Sequence, residues 1–145
     1  MEDNEQTERI SGEREAERTD ECWNGYRVRY DKAYLMKAIS ELGITNEITA
    51  DLMARAIVCY AVGFGKKMNE IFEHLAASHE VQTNAIAMRF KRALGSAENS
   101  GALKYVDTIV SGAVYDYDYG YTVKEFIALL GAHMGDTGRL TIEKE

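Results

Sequence analysis

The chain has 145 residues, 46 % of them hydrophobic, enough for one domain with a real core. It contains no proline and is well supplied with helix-forming residues, which favours an all-α fold. Its net charge of −7 counts against a uniformly basic nucleic-acid binder.

That charge is unevenly spread. Residues 1–22 hold nine acids and three bases, a net of −6, while the other 123 hold 15 acids and 14 bases, a net of −1. Residues 1–22 have Ile10 as their one large apolar residue and cannot bury a face, so an acidic, disordered tail is predicted. It reads either as a solvated appendage or as a segment that competes with DNA for basic surfaces. Its polarity does not fit a secretory leader, and no apolar run approaches the roughly 20 residues of a membrane helix. No membrane partner is expected, and a cytoplasmic location is. Residues 23–30, WNGYRVRY, form an aromatic arm that either strand or coil would satisfy.

A helical domain is predicted over 31–135. Its first helix covers 31–42, with Leu35, Ala38, Ile39 and Leu42 inward and Gly43 ending it. The second starts after Thr45 or Asn46 and carries a stripe of Ile48, Leu52, Ala56, Tyr60 and Phe64, with Met53 and Ile57 beside it, closed by Gly63 and Gly65. It is the most apolar helix and the expected centre of the bundle. Cys59 lies in it as a small buried hydrophobe, and neither Cys59 nor Cys22 has metal-ligand spacing.

Residues 66–95 contain two amphipathic patterns joined by a polar turn. Met68, Ile71, Phe72, Leu75 and Ala76 make one helical face; Ile86, Phe90, Ala93 and Ala97 make the other. Thr83 or Asn84 is placed to cap the second helix, and Val81 to plug the turn between them. Small Ala76 suits a close crossing. This is the pattern of a helix-turn-helix, except that Glu80 stands where such a turn usually has glycine. An ordinary helical hairpin has the same periodicity.

The stretch GSAENSG over 95–101 reads as a turn, and a fifth helix follows over 102–110 with Leu103, Val106 and Val110 inward. The tyrosines of 115–121 would either pad a domain edge or stack on bases. Thr122 and Glu125 form a capping box for the last helix, whose stripe is Val123, Phe126, Ile127, Leu130 and Met134, with Gly135 stopping it. Residues 136–145 read as an edge strand or coil. The whole is a six-helix bundle containing a helix-turn-helix.

Residues 34–134 resemble the C-terminal DNA-binding domain of the stage-zero sporulation response regulator family. Glu41-Leu42-Gly43-Ile44 matches the end of the family's first helix. Thr83-Asn84-Ala85-Ile86 and Arg89-Phe90-Lys91-Arg92-Ala93 fall on its recognition helix. Asn99-Ser100-Gly101 falls on its closing turn, and Glu125-Phe126-Ile127-Ala128 on its last helix. The resemblance implies a six-helix fold and a transcriptional regulator that binds double-stranded DNA in the major groove as a homodimer or in tandem. It leaves no room for the family's N-terminal phosphoacceptor domain, so any switching is expected to come from elsewhere. The family's recognition helix carries arginines and a glutamate where this chain has Ala85, Ala87 and Met88, with Lys91 still basic. The family's basic loop before the last helix here carries Asp116 and Asp118.

On a helical wheel, the face opposite the core holds Asn84, Met88, Lys91 and Gly95, flanked by Ala87 and Arg92. Asn84 would bond adenine, Lys91 guanine, and Met88 and Ala87 the thymine methyl. Gln82 and Thr83 at the helix start suit phosphate, as do Lys66 and Lys67. Replacing arginines by alanine and methionine removes base contacts of roughly 1–3 kcal/mol each, so weak or altered DNA specificity is expected. The competing reading is a protein-interaction module that keeps the fold. It would pair with a full-length regulator through the last helix or offer the Met88–Ala87 surface. An enzyme is not expected. His74, His79 and His133 have no nucleophile or carboxylate at a recognisable spacing, and the run from Gly63 to Lys67 lacks the spacing of a phosphate-binding glycine loop. No cofactor, metal or small-molecule substrate is implied.

Overall fold

The structure, a computed structural model, describes residues 18–23, 26–63, 67–79, 81–112 and 120–144. It is mostly helical, with six α-helices among the described residues and a short three-stranded antiparallel sheet at one end. In chain order the elements are β1 (Arg18–Trp23), β2 (Tyr26–Asp31), α1 (Lys32–Glu41), α2 (Glu47–Ala61), α3 (Met68–His79), α4 (Thr83–Ser100), α5 (Val106–Val110), α6 (Val123–Asp136) and β3 (Leu140–Lys144). A single 3₁₀ turn, Leu103–Tyr105, leads into α5.

The helix starts follow their capping chemistry. Asp31 accepts from the Tyr34 N–H at 3.0 Å, and Asn46 from the Thr49 N–H at 3.0 Å. Thr122 and Glu125 complete the capping box at 3.1 and 2.9 Å. The post of the bundle is α2. Leu52, Met53, Ala54, Ala56, Ile57, Val58 and Cys59 are all buried, and α1, α3, α4 and α6 pack around them. Gly131 faces α2, where a Cβ would meet the Ala61 side chain and the Ile57 carbonyl at 3.5 Å, ordinary van der Waals contact.

The sheet makes the arm and both tails more ordered than the sequence suggested. Strand β2 lies between the other two; Val28 faces Ile142 and Tyr30 faces Leu140 across the β2–β3 ladder. Val28 and Tyr30 are fully buried, so the arm's alternation selects its inner face. Pairing of β1 with β2 begins at Arg18, so the predicted tail of 1–22 is shortened from its C-terminal side. The reason is that β1 is an edge strand, held by backbone bonds, where charged residues are compatible with pairing. The tail after α6 becomes the other edge strand, β3.

Helix ends and faces also differ from the sequence expectation. The predicted turn at 95–101 is the last part of α4, which runs on to Ser100 and stops at Gly101 with φ +84°. Burial of Leu94 and Ala97 outweighs the weak helix preference of Gly95. The last helix likewise passes Gly135 and ends at Asp136. Ile48, placed in the core stripe of the second helix, is instead 63 % exposed. A stripe at i+4 drifts about 40° per step around a helix, so near the start of α2 the inner positions are Thr49 and Met53, the latter already expected beside the stripe. Phe64 and Gly65 lie outside the described residues, as do Asp116, Asp118 and the tyrosines of 115–119.

The first and last helices are joined by Tyr34, whose hydroxyl lies 2.7 Å from His133 Nε2, with the Arg139 guanidinium 3.8 Å above the Tyr34 ring. Burial, reinforced by Arg139, holds His133 below its ordinary pKa against the opposing pull of Asp136. A neutral ring can accept the tyrosine proton, whereas imidazolium cannot.

Two outcomes follow for stability. A Cβ at Gly95 meets nothing within 4 Å, so Gly95→Ala should raise unfolding free energy by about 0.5–1 kcal/mol. Loss of stability on denaturant titration would contradict a continuous helix there. For His133, the unfolded ring titrates near 6.5 and the folded one lower, so the unfolded chain binds more protons just below that pH. The contribution is intact above 6.5 and is lost as pH falls through the folded value. Melts from about pH 7.5 down to 5 should show a decline that His133→Gln flattens; an unaltered slope in the variant would rule the ring out as its source.

Candidate nucleic-acid interface

Residues 80–82 connect α3 to α4, and Glu80 lies outside the described residues. The Val81 N–H donates to the Ala76 carbonyl at 3.1 Å, closing α3. Gln82 then takes the extended conformation of an N-cap, φ −80° and ψ 146°, without a side-chain bond to the helix. The expected caps are therefore displaced: Thr83 is the first helical residue, and Asn84 the second. The connection is short enough that the chain turns helical one residue early. Val81 does not plug the turn, being 46 % exposed. Ile86 fills the space between the helices instead.

Ile86, Phe90, Leu94 and Ala97 form the buried face of α4. Phe90 meets Phe72 of α3 edge-on, with ring centroids 5.7 Å apart at 73°. Ala76 is buried at the crossing. Leu94 joins the core, while Ala93, expected at the centre of the face, is only half-buried. With that face turned in, Asn84, Met88, Lys91, Arg92 and Gly95 stand exposed on the outside and Ala87 is half-buried.

A groove of about 850 Å³ runs between the start of α2 and the outer side of α4. Asn46, Ile48 and Thr49 line one wall; Asn84, Met88, Arg89 and Arg92 line the other; His79, Val81 and Gln82 close the end. Arg89 Nη1 donates to Thr49 Oγ1 at 3.2 Å, satisfying the hydroxyl of a threonine that is only 4 % exposed. His79, the last residue of α3, hydrogen-bonds through Nδ1 to the Leu75 carbonyl at 2.9 Å. Behind the α2 wall, Asp51 pairs with Lys32 at 2.7 Å and with Arg55 at 3.3 Å. Burial works to raise the Asp51 pKa, but these two cations outweigh it and hold the carboxyl below its ordinary range.

The sequence-predicted residues thus divide. Gln82, Asn84, Met88 and Arg92 line the groove together, whereas Thr83, Ala87 and Lys91 do not. Lys67 is exposed at the start of α3, roughly 16 Å along that helix from the turn, and its N–H is taken by Glu70 at 3.3 Å. Lys66 lies outside the described residues. Asn46, Ile48, Thr49 and Arg89 were not foreseen at the site. A wheel of α4 alone sets Arg89 to one side; only the packing of α2 brings Thr49, 40 residues earlier, within its reach.

A comparison with known protein families, with curated proteins and with solved structures finds no match for this chain. The chemistry of the site therefore rests on its own residues.

Packing, rather than the polar tie, orients α4. Truncating a buried phenylalanine such as Phe90 costs about 3–5 kcal/mol, against about 0.5–1.5 kcal/mol for a net hydrogen bond, somewhat more for a charged donor. Arg89→Ala should nonetheless cost about 1–3 kcal/mol, because the buried Thr49 hydroxyl loses its partner. Adding Thr49→Val should recover much of that loss. A double-mutant cycle by denaturant unfolding checks this, and strictly additive losses would show that the two side chains are not coupled.

Proposed function

We propose that this chain is a DNA-binding transcriptional regulator in which α3 and α4 act as a helix-turn-helix and α4 enters the major groove. The observation that carries this reading is the exposure of Asn84, Met88, Lys91 and Arg92 along one helix whose opposite face is locked into the core. Asn84 is suited to adenine, Lys91 to guanine, and Met88 to a thymine methyl. Arg92 and the first turn of α4 are suited to phosphate. In keeping with the sporulation-regulator resemblance, the protein would act in the cytoplasm as a dimer or tandem pair on DNA.

Few cations serve this surface, so affinity should be modest. If Lys67 and Arg92 each neutralise a phosphate, log K should fall with log salt at a slope of roughly −2 per protomer, at about −0.9 per phosphate neutralised. Fluorescence anisotropy with duplex DNA across a salt series should give that slope, and Arg92→Ala should reduce it by about one. A response flat with salt, or unaffected by Arg92→Ala, would remove the proposed docking mode.

A second reading has its own support. Ile48, Val81 and Met88 are 63, 46 and 49 % exposed around one groove, an apolar patch suited to a protein partner. Electrophoretic mobility shift with genomic fragments separates the two: no retarded fragment at low salt favours the interaction module.

A further inference from the structure

The groove between α2 and α4 combines an apolar surface with positive character. Ile48, Val81 and Met88 supply the first. Arg89 and Arg92 supply the second, and Arg92 has no carboxylate partner among the described residues. Asn46 and Gln82, the caps of α2 and α4, both line it, so two helix N-termini with their positive ends converge there. This surface is matched to an acidic segment that carries an occasional apolar side chain.

The geometry points to residues 1–17 of this same chain as its occupant. They hold seven acids against two arginines, a net of −5, with Ile10 as their large apolar residue near the middle. They join the described fold at Arg18 in the edge strand β1, which a run of contacts links to α2. Arg18 pairs with Asp31 in the β1–β2 ladder. Asp31 caps α1, and Lys32 next to it reaches Asp51 of α2 at 2.7 Å. Asp51 is within one helical turn of Ile48 and Thr49 on the groove wall. Fully extended, eight residues span about 26–29 Å, long enough for Ile10 to follow this run of contacts from Arg18 to the α2 wall. A covalent tether of this length holds a segment at about millimolar effective concentration. A groove affinity near 1 mM therefore suffices to keep it occupied about half the time. Ile10 would insert among Ile48, Val81 and Met88, while Glu8 and Glu13 meet the arginines.

An acidic segment in this position and a DNA backbone along α4 exclude each other. That consequence rests on the DNA-binding reading; the docking itself does not.

The test uses the full chain with a nitroxide on Ser11→Cys in a Cys22→Ser background, the buried Cys59 being shielded from the reagent. Amide signals of Ile48, Met88 and Arg92 should broaden selectively at low salt. They should recover near 1 M salt, where the Debye length is about 3 Å, and also on Arg92→Glu. Absent or evenly distributed broadening overturns the proposal. So does broadening only between labelled and unlabelled copies in a mixed sample, which would place the segment on a second molecule. In the same background E8Q/E13Q/E15Q should tighten binding to duplex DNA about three- to tenfold. Groove broadening without any DNA binding would keep the docking and sink the DNA reading; DNA binding without groove broadening would do the reverse.

Discussion

Everything exposed on α4 is placed by what α4 buries. Ile86, Phe90, Leu94 and Ala97 occupy the space between α3 and α2, and successive residues of a helix are 100° apart. Fixing four side chains inward therefore fixes the azimuth of all the others. Asn84, Met88 and Arg92 have no choice but to face outward, and Arg89 is carried to the α2 wall. The edge-on contact of Phe72 with Phe90 sets the distance between the two helices, and small Ala76 permits it. Without that seat, the outward residues would be a scatter of polar side chains rather than a line.

The second level of organisation is electrostatic and runs from the sheet to the groove. Asp31 ends β2 and caps α1; Lys32, the next residue, neutralises Asp51 in α2; Arg55 shares the same carboxylate. Two cations are thus committed to an acid that would otherwise add negative charge near the groove. The arginines of α4 remain the dominant charge there. The overall −7 is consequently a poor guide to this surface, since most of it resides in residues 1–22. Whole-protein charge sets long-range steering, but a contact surface is decided within about a Debye length, roughly 8–10 Å in ordinary buffers.

Much of the fold was legible because helical periodicity and capping are local signals. The six helices, the capping box at Thr122 and Glu125, the Asn46 cap and the burial of Ile86 and Phe90 all follow from residues a few positions apart. The sheet was less legible because its partners are distant: β2 pairs with β3 more than a hundred residues away. A local clue did exist. Asn24 and Gly25 lie between the paired Trp23 and Tyr26, and Asn-Gly is the strongest sequence signal for a two-residue hairpin. Alternation in WNGYRVRY then marks Val28 and Tyr30 as the inner face. The extent of α4 was misjudged because Gly95 and Gly101 look alike in sequence; only Gly101 has positive φ, while Gly95 is an ordinary helical residue on the solvent side. The groove was the least legible feature. It is made where α2 passes α4, and nothing in either pattern alone announces that Ile48 will face out or that Thr49 will meet Arg89.

The outward face of α4 is the point on which the functional account stands. Titrating short duplex DNA into isotope-labelled protein at low salt, and following the amide signals, examines that face directly. The account predicts that the largest changes fall on Asn84, Met88, Lys91 and Arg92, with smaller ones at the start of α4. Changes concentrated on α6 or the sheet, or no changes at saturating DNA, would contradict it.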